Sequence, residues 1–219
     1  VNLVNARSRD FRVGYQLYNH YQVRKELQVY QNMEYIRNKN FFTDKPLGTD
    51  TLFYQKFNYD ILISKDSTTD QSQTTQFINE FGLKGDYTKL FYRFFVKLRN
   101  VNYYTNYLPG NKLYFENSGG FELRYDFDSA QNIRASGEYI IGGFYRLGGT
   151  YFNKFFTVEY WRTQSRPAII EETYFGNHHE WNNDFATPAS DMLRGSLIYF
   201  NKFLRVEPLA SLINVKDNI

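Results

Sequence analysis

The 219-residue sequence predicts an all-β fold: an antiparallel up-and-down transmembrane β-barrel, or part of one, with about ten strands. Three observations point there. Apolar and polar residues alternate with a period of two, which places them on opposite faces of a strand. The alternation persists for roughly ten to fifteen residues at a time. Soluble strands usually have about five or six residues, and a tilted membrane-crossing strand needs about nine to eleven. Phe, Tyr and Trp make up 20% of the chain, far from the composition of a disordered tail.

The elements follow in order. Phe11, Val13, Tyr15 and Leu17 alternate with Arg12, Gly14 and Gln16. Leu27, Val29, Met33 and Tyr35 alternate with Glu26, Gln28, Asn32 and Glu34. Weaker segments lie near 52–63 and 76–84. Leu90, Tyr92, Phe94, Val96 and Leu98 then oppose Lys89, Arg93, Lys97 and Arg99. Over residues 113–127 the odd positions are mainly apolar, and the even positions include Glu116, Glu122, Arg124 and Asp126. After the turn-like Asp128-Ser129-Ala130-Gln131, residues 133–147 carry Ile133, Tyr139, Ile141, Tyr145 and Leu147 on one face. Asn132, Arg134, Ser136, Glu138 and Arg146 lie on the other. Weaker segments near 151–163 and 190–200 precede a last one, where Leu204, Val206, Ala210 and Leu212 oppose Arg205, Glu207 and Ser211. No segment has a helical period with caps.

Polar stretches predict the connections. Residues 64–75 contain no apolar side chain and read as an exposed loop. Residues 38–51 and 100–111 hold the turn signals Pro46-Leu47-Gly48 and Pro109-Gly110, and 166–188 is the longest connection. Short and long connections should alternate in an ideal up-and-down barrel, and the segments at 64–75 and 84–88 break that order. The expected organisation is one barrel domain over 1–219, a fragment of a larger barrel.

Several function classes drop out. The longest nearly apolar run, residues 139–145, is far short of the roughly 20 needed for a membrane helix. With 26 Lys+Arg against 23 Asp+Glu the chain has no strong basic field, so no nucleic-acid partner is expected. The absence of cysteine excludes thiolate zinc sites, disulfides and thiol nucleophiles. The chain begins at Val1 with no basic-then-apolar leader, as expected after signal removal or for an internal piece. No cofactor fingerprint, no GxSxG and no phosphate loop occurs; Gly142-Gly143 and Gly148-Gly149 read as relief of crowding or as strand curvature.

In a bilayer only helices and closed barrels satisfy every backbone polar group internally. The charged face should therefore point into a wet interior, because Arg or Lys on the lipid face costs about 2–4 kcal/mol at the midplane. The pore-lining candidates are Lys89, Arg93, Lys97, Glu116, Glu122, Arg124, Asp126, Arg134, Glu138 and Arg146. Their mixed charge and the net +3 allow at most a weak anion preference. A soluble sandwich alternates in the same way. Its core would need bulky aliphatics, whereas this apolar face is rich in Tyr, Phe and Gly and suits lipid and headgroups.

Other chemistry is weaker. His178, His179, Glu180 and Asp184 lie close together, but adjacent residues of a strand point to opposite faces, so the cluster reads as a polar loop or strand rim. The carboxylates Glu116, Glu122, Asp126 and Glu138 could be spaced for glycoside hydrolysis, as could those of any charged wall. Tyr103, Tyr104, Tyr107, Trp161 and Trp181 could stack sugars, but an interfacial girdle or strand-end cluster is the expected role.

Three runs carry a family resemblance: residues 137–144 (GEYIIGGF), 165–170 (SRPAII) and 174–185 (YFGNHHEWNNDF). A Pro, a polar-aromatic stretch, then Asn177-His178 and Trp181-Asn182 ahead of Phe185 resemble the putative porin family of Bacteroidota outer membranes. The chain is similar to a segment of a longer member, and it ends at Asn218-Ile219 without the terminal aromatic strand of a complete barrel. The resemblance implies an outer-membrane barrel in contact with outer-membrane lipid. The function expected of such a barrel is passive diffusion of small hydrophilic solutes, with no catalytic residue and no cofactor. It specifies neither solute nor oligomeric state. A soluble all-β carbohydrate-binding module and the barrel fragment of a plugged outer-membrane transporter are the alternatives.

Overall fold

A computed structural model describes residues 7–44, 68–107, 110–167, 169–176, 180–184, 187–200, 202 and 204–216. In chain order the elements are β1 (Arg7–Arg24), β2 (Leu27–Asp44), β3 (Thr68–Tyr87), β4 (Leu90–Thr105), β5 (Lys112–Asp128), β6 (Gln131–Ile140), β7 (Phe144–Asn153) and β8 (Phe156–Gln164). They continue with the helical turn α1 (Ile169–Glu172), β9 (Thr173–Phe175), β10 (Glu180–Asn182), β11 (Ala189–Leu197), β12 (Tyr199–Phe200), β13 (Arg205–Val206) and β14 (Leu209–Lys216). Ten strands form one sheet in the order β1-β2-β3-β4-β5-β6-β7-β8-β11-β14, each antiparallel to its neighbour. The expected all-β, antiparallel, up-and-down architecture is what the chain adopts. The sheet is open, with β1 and β14 at its edges.

Some strand limits differ from the sequence reading. Thr68–Thr75 is not a loop but the start of β3, paired with β2 through Asp44↔Thr68 to Arg37↔Thr75. Polar residues on both faces hid this strand, because the backbone ladder forms without apolar side chains; Asp70 and Ser72 are nonetheless buried on one side. Residues 38–44 likewise belong to β2, and 84–87 to β3. The weak segment at 52–63 lies outside the described residues. The stretch 133–147, which alternates without a break, is two strands. Gly142 (φ +116°) and Gly143 (φ +94°) form the turn between β6 and β7, a backbone region that side chains avoid. Its three-residue length keeps odd positions on one face of both strands (Tyr139↔Tyr145, Gly137↔Leu147), so the period of two runs through the turn unseen. Residues 151–163 also hold a turn, Lys154-Phe155, between β7 and β8.

With these limits the connections fall into order. At one end of the sheet, residues 25–26, 88–89, 129–130 and 154–155 make two-residue turns. The segment 198–208, which carries the β12–β13 ribbon, closes the fifth connection at that end. At the other end the connections are 45–67, 106–111, 141–143 and 165–188. Apart from the short 141–143 turn, the long connections cluster at one end and tight turns dominate the other.

Burial falls on one face. Tyr30, Glu80, Val101, Tyr103 and Ser118 are buried and share a face through Tyr30↔Gly82↔Phe95, Glu80↔Lys97↔Ser118 and Val101↔Tyr114. A flat single layer would leave both faces accessible, so the sheet curls towards this one. The opposite, convex face exposes Phe11, Tyr15, Leu17, Phe77, Phe81, Phe94, Val96, Leu98, Tyr125, Phe127, Leu147 and Tyr160. Among the described residues only Tyr30, Val101 and Tyr103 are buried apolar side chains. No second sheet or helix layer covers the apolar face among the described residues. An apolar area this wide and uncovered does not belong to the surface of a water-soluble monomer.

Candidate functional site

The site is the concave face itself. Odd positions of β4, even positions of β5, β6 and β7, and odd positions of β8 converge on it through their registers. Arg93 stands at its centre. Its guanidinium binds Glu80 on one side, reaches Glu122 at 3.3 Å on the other, and donates from Nε to the Tyr30 hydroxyl at 2.7 Å. Tyr30 in turn donates to Glu80 Oε1 at 2.8 Å. Lys97 crosses β5 to pair with Glu138, which also accepts from the Ser118 hydroxyl at 2.7 Å. Arg99 pairs with Glu116 at 2.7 Å and donates to Gln76 at 3.1 Å. Arg124 turns along its own strand to Asp126 at 3.2 Å, and Arg134 lies directly opposite Arg124.

Glycines let the aromatic rings of this face lie flat. A Cβ on Gly82 would meet the Tyr30 ring at 2.6 Å, one on Gly120 the Phe95 ring at 2.4 Å, and one on Gly148 the Trp161 ring at 2.3 Å. In each case the ring covers the glycine directly across the ladder. Cations then cover the rings. Arg93 lies 4.8 Å from the Phe95 centroid and Arg146 lies 4.6 Å from that of Trp161. The wall is thus stacked in three layers, backbone, ring and guanidinium, with a thin profile and a charged surface. An open hollow of about 500 Å³ is lined by Gln16, Tyr18, Asn32, Lys84, Arg93 and Glu122 among others.

At the long-connection end the face is covered. The connection from β8 to β11 folds back over it and carries α1 and the β9–β10 ribbon. Glu172 accepts from the Tyr114 hydroxyl at 2.9 Å, Lys112 bonds the Thr173 hydroxyl, and Arg166 sits 4.1 Å from the Tyr114 ring centroid. Tyr174 stacks on Trp181 at 4.7 Å. Gly176 approaches Asp70 so closely that a Cβ would sit 2.9 Å from Oδ2. The most enclosed side chains among the described residues, Tyr103, Thr105 and Thr173, lie in this contact. Burial, helped by the charge of Asp70, pushes the Tyr174 hydroxyl up to about 12.

Nine of the ten candidates, from Arg93 to Arg146, stand on concave-face positions of β4 to β7. Lys89 sits in the β3–β4 turn and donates to the Phe127 carbonyl at 2.7 Å. Trp181 is in the docked ribbon, while Asn177, His178, His179 and Phe185 lie outside the described residues. Tyr103 and Trp161 do not form an outward girdle: one is buried under the ribbon and the other lies flat beneath Arg146. Sequence reasoning missed Glu80, Tyr30, Phe95 and the Lys112–Thr173 and Tyr114–Glu172 contacts. A signal existed for the first, since Phe77, Phe81 and Leu83 alternate with Glu80 and Lys84 in the segment read as weak.

A model of the family described as "Putative porin" matches residues 1–219, the whole chain. No curated protein and no solved structure matches it. A curled antiparallel layer, apolar outside and charged inside, fits the wall of a membrane barrel, and with the match over its full length this chain belongs to the putative porin family.

Proposed function

We propose that the chain forms the wall of an outer-membrane channel through which small hydrophilic solutes diffuse, with no covalent step. One observation carries this reading: the Glu80–Arg93–Glu122 ladder lies along the concave face, with Arg93 and Glu122 partly exposed, while the convex face presents uncovered aromatics and aliphatics. The pore-lining set proposed is Arg93, Lys97, Glu116, Glu122, Arg124, Asp126, Arg134, Glu138 and Arg146, joined by Glu80 and Lys84. The free edges of β1 and β14 favour a barrel completed by strands additional to these ten. The docked ribbon narrows the mouth at the long-connection end, the side that faces outward in barrels of this type.

Acids and bases are mixed around the wall, so the expected selectivity is weak and set mostly by width. Planar-bilayer recording on the full-length protein tests the reading. Stepwise conductance with a small reversal potential in a salt gradient supports it. A chain that stays in buffer without detergent, or inserts and passes no current, contradicts it.

A further inference from the structure

We infer that the convex face of β1 and β2 docks the phosphate of a lipid headgroup in the outer leaflet, an inference that rests on the channel reading above. Arg7, Arg9, Arg37 and Lys39 share this face: Arg7 pairs with Thr43, Arg9 with Phe41, Phe11 with Lys39 and Val13 with Arg37. Arg9 and Lys39 are diagonal neighbours, a relation that places Cα atoms about 7–8 Å apart. The four cations sit at the long-connection edge of the apolar band formed by Phe11, Val13, Tyr15, Leu17 and Tyr35, the level at which a bilayer presents its outer headgroups.

No carboxylate shares this part of the face among the described residues. Asp10 pairs with Asn40 and Asp70 with Phe42, both on the concave side. None of the four cations has a carboxylate partner among the described residues. On the concave face, by contrast, Arg93, Lys97, Arg99 and Arg124 pair with acids, and Arg162 and Arg166 do so elsewhere. Two neighbours pre-orient the cluster. Gln73 accepts from Arg37 Nη2 at 2.8 Å, and Lys39 lies 4.5 Å from the Phe41 ring centroid, so each half-buried cation is held against a neighbour on this face. Like charges gathered beside an apolar band, with acids kept to the other face, match a multiply charged anion that is itself attached to acyl chains.

The test uses the full chain folded in neutral detergent and titrated with diphosphoryl lipid A, with bound lipid counted by native mass spectrometry. The double variant Arg9→Gln/Lys39→Gln should bind about thirtyfold more weakly, from about fivefold per cation near a charged lipid surface. Arg12→Gln, one register position from Lys39 but on the concave side, should bind as the unmodified chain does. Undiminished binding by the double variant, an equal loss in Arg12→Gln, or displacement of the lipid by inorganic phosphate alone would overturn the inference. Flotation with phosphatidylcholine vesicles separates the two readings. An inserted chain that ignores lipid A overturns the lipid site only, whereas a chain left in buffer overturns the channel and the lipid site with it.

Discussion

The turn-end half of the concave face and the half under the ribbon are built from the same strands, yet they are stabilised in opposite ways. Around Arg93 nothing packs over the sheet, and the side chains lie down: rings on glycines, cations on rings, acids between cations. Around Tyr103 a second layer arrives, and side chains reach near-complete burial. The open half tolerates water because the groups around Arg93 are charged, hydrogen-bonded or pressed flat. The covered half, with Val101 and Tyr103, resembles the core of a soluble protein; among the described residues the other buried apolar side chain is Tyr30, beside Arg93. Passage should therefore depend on the covered half for width and on the open half for charge.

The largest difference between the halves should appear on truncation. Tyr103→Ala removes a 1% exposed side chain and should lower stability by about 3–5 kcal/mol in urea unfolding, loosening the ribbon and raising single-channel conductance. Tyr103→Phe should cost nothing, because the buried hydroxyl has no hydrogen-bond partner among the described residues. A conductance unchanged by Tyr103→Ala would mean that the ribbon does not limit the mouth.

In the open half the comparable lever is a glycine. Gly148→Ala puts a methyl where Trp161 and the Tyr160 carbonyl already lie, and should cost about 1–3 kcal/mol. Displaced from the wall, the indole and the Arg146 above it would narrow the lumen, so conductance should fall. A variant with unchanged indole fluorescence and conductance would sink the flat-ring account.

Glu80→Gln is gentler, about 1 kcal/mol, because Arg93 is partly exposed and keeps Glu122. The lost carboxylate should move the reversal potential towards anions; a shift towards cations would contradict the proposed lining.

The smallest effect is a titration. Tyr174 is pushed up to about 12 by burial and by Asp70, against 10.0 when free. The docked ribbon favours the neutral phenol, so docking is at full strength below pH 10 and weakens as pH rises from there to about 12. Ultraviolet titration of Tyr174→Phe against the unmodified chain should lose one late-ionising phenol. Loss of a phenol that ionises near 10 would remove the contrast.

Much of the fold was legible in the sequence because alternation is a direct imprint of a two-sided strand. Residues 113–127 declared both faces of β5 at once. Legibility failed where alternation carries no contrast or carries it too far. The start of β3 is polar on both faces, so only its backbone partners mark it as a strand. The Gly142-Gly143 turn keeps the period in phase and so hides a strand break. The ribbon contacts could not be foreseen, since Lys112 and Thr173 meet only after the β8–β11 connection doubles back across several strands. Arg134 and Arg124 were readable as charges on one face, but not as direct neighbours across a ladder.

The account stands on which side of the sheet meets oil. Leu123 and Arg124 are adjacent on β5, and Leu123 shares the convex face with Tyr92 and Ala135 while Arg124 shares the concave face with Phe91. Vesicle insertion of Leu123→Arg and Arg124→Leu, followed by heat-shifted gel migration, compares the two faces at one height. Loss of insertion by Leu123→Arg, at about 2–4 kcal/mol, with Arg124→Leu inserting normally, is the predicted result; equal insertion of both, or the reverse order, would contradict it.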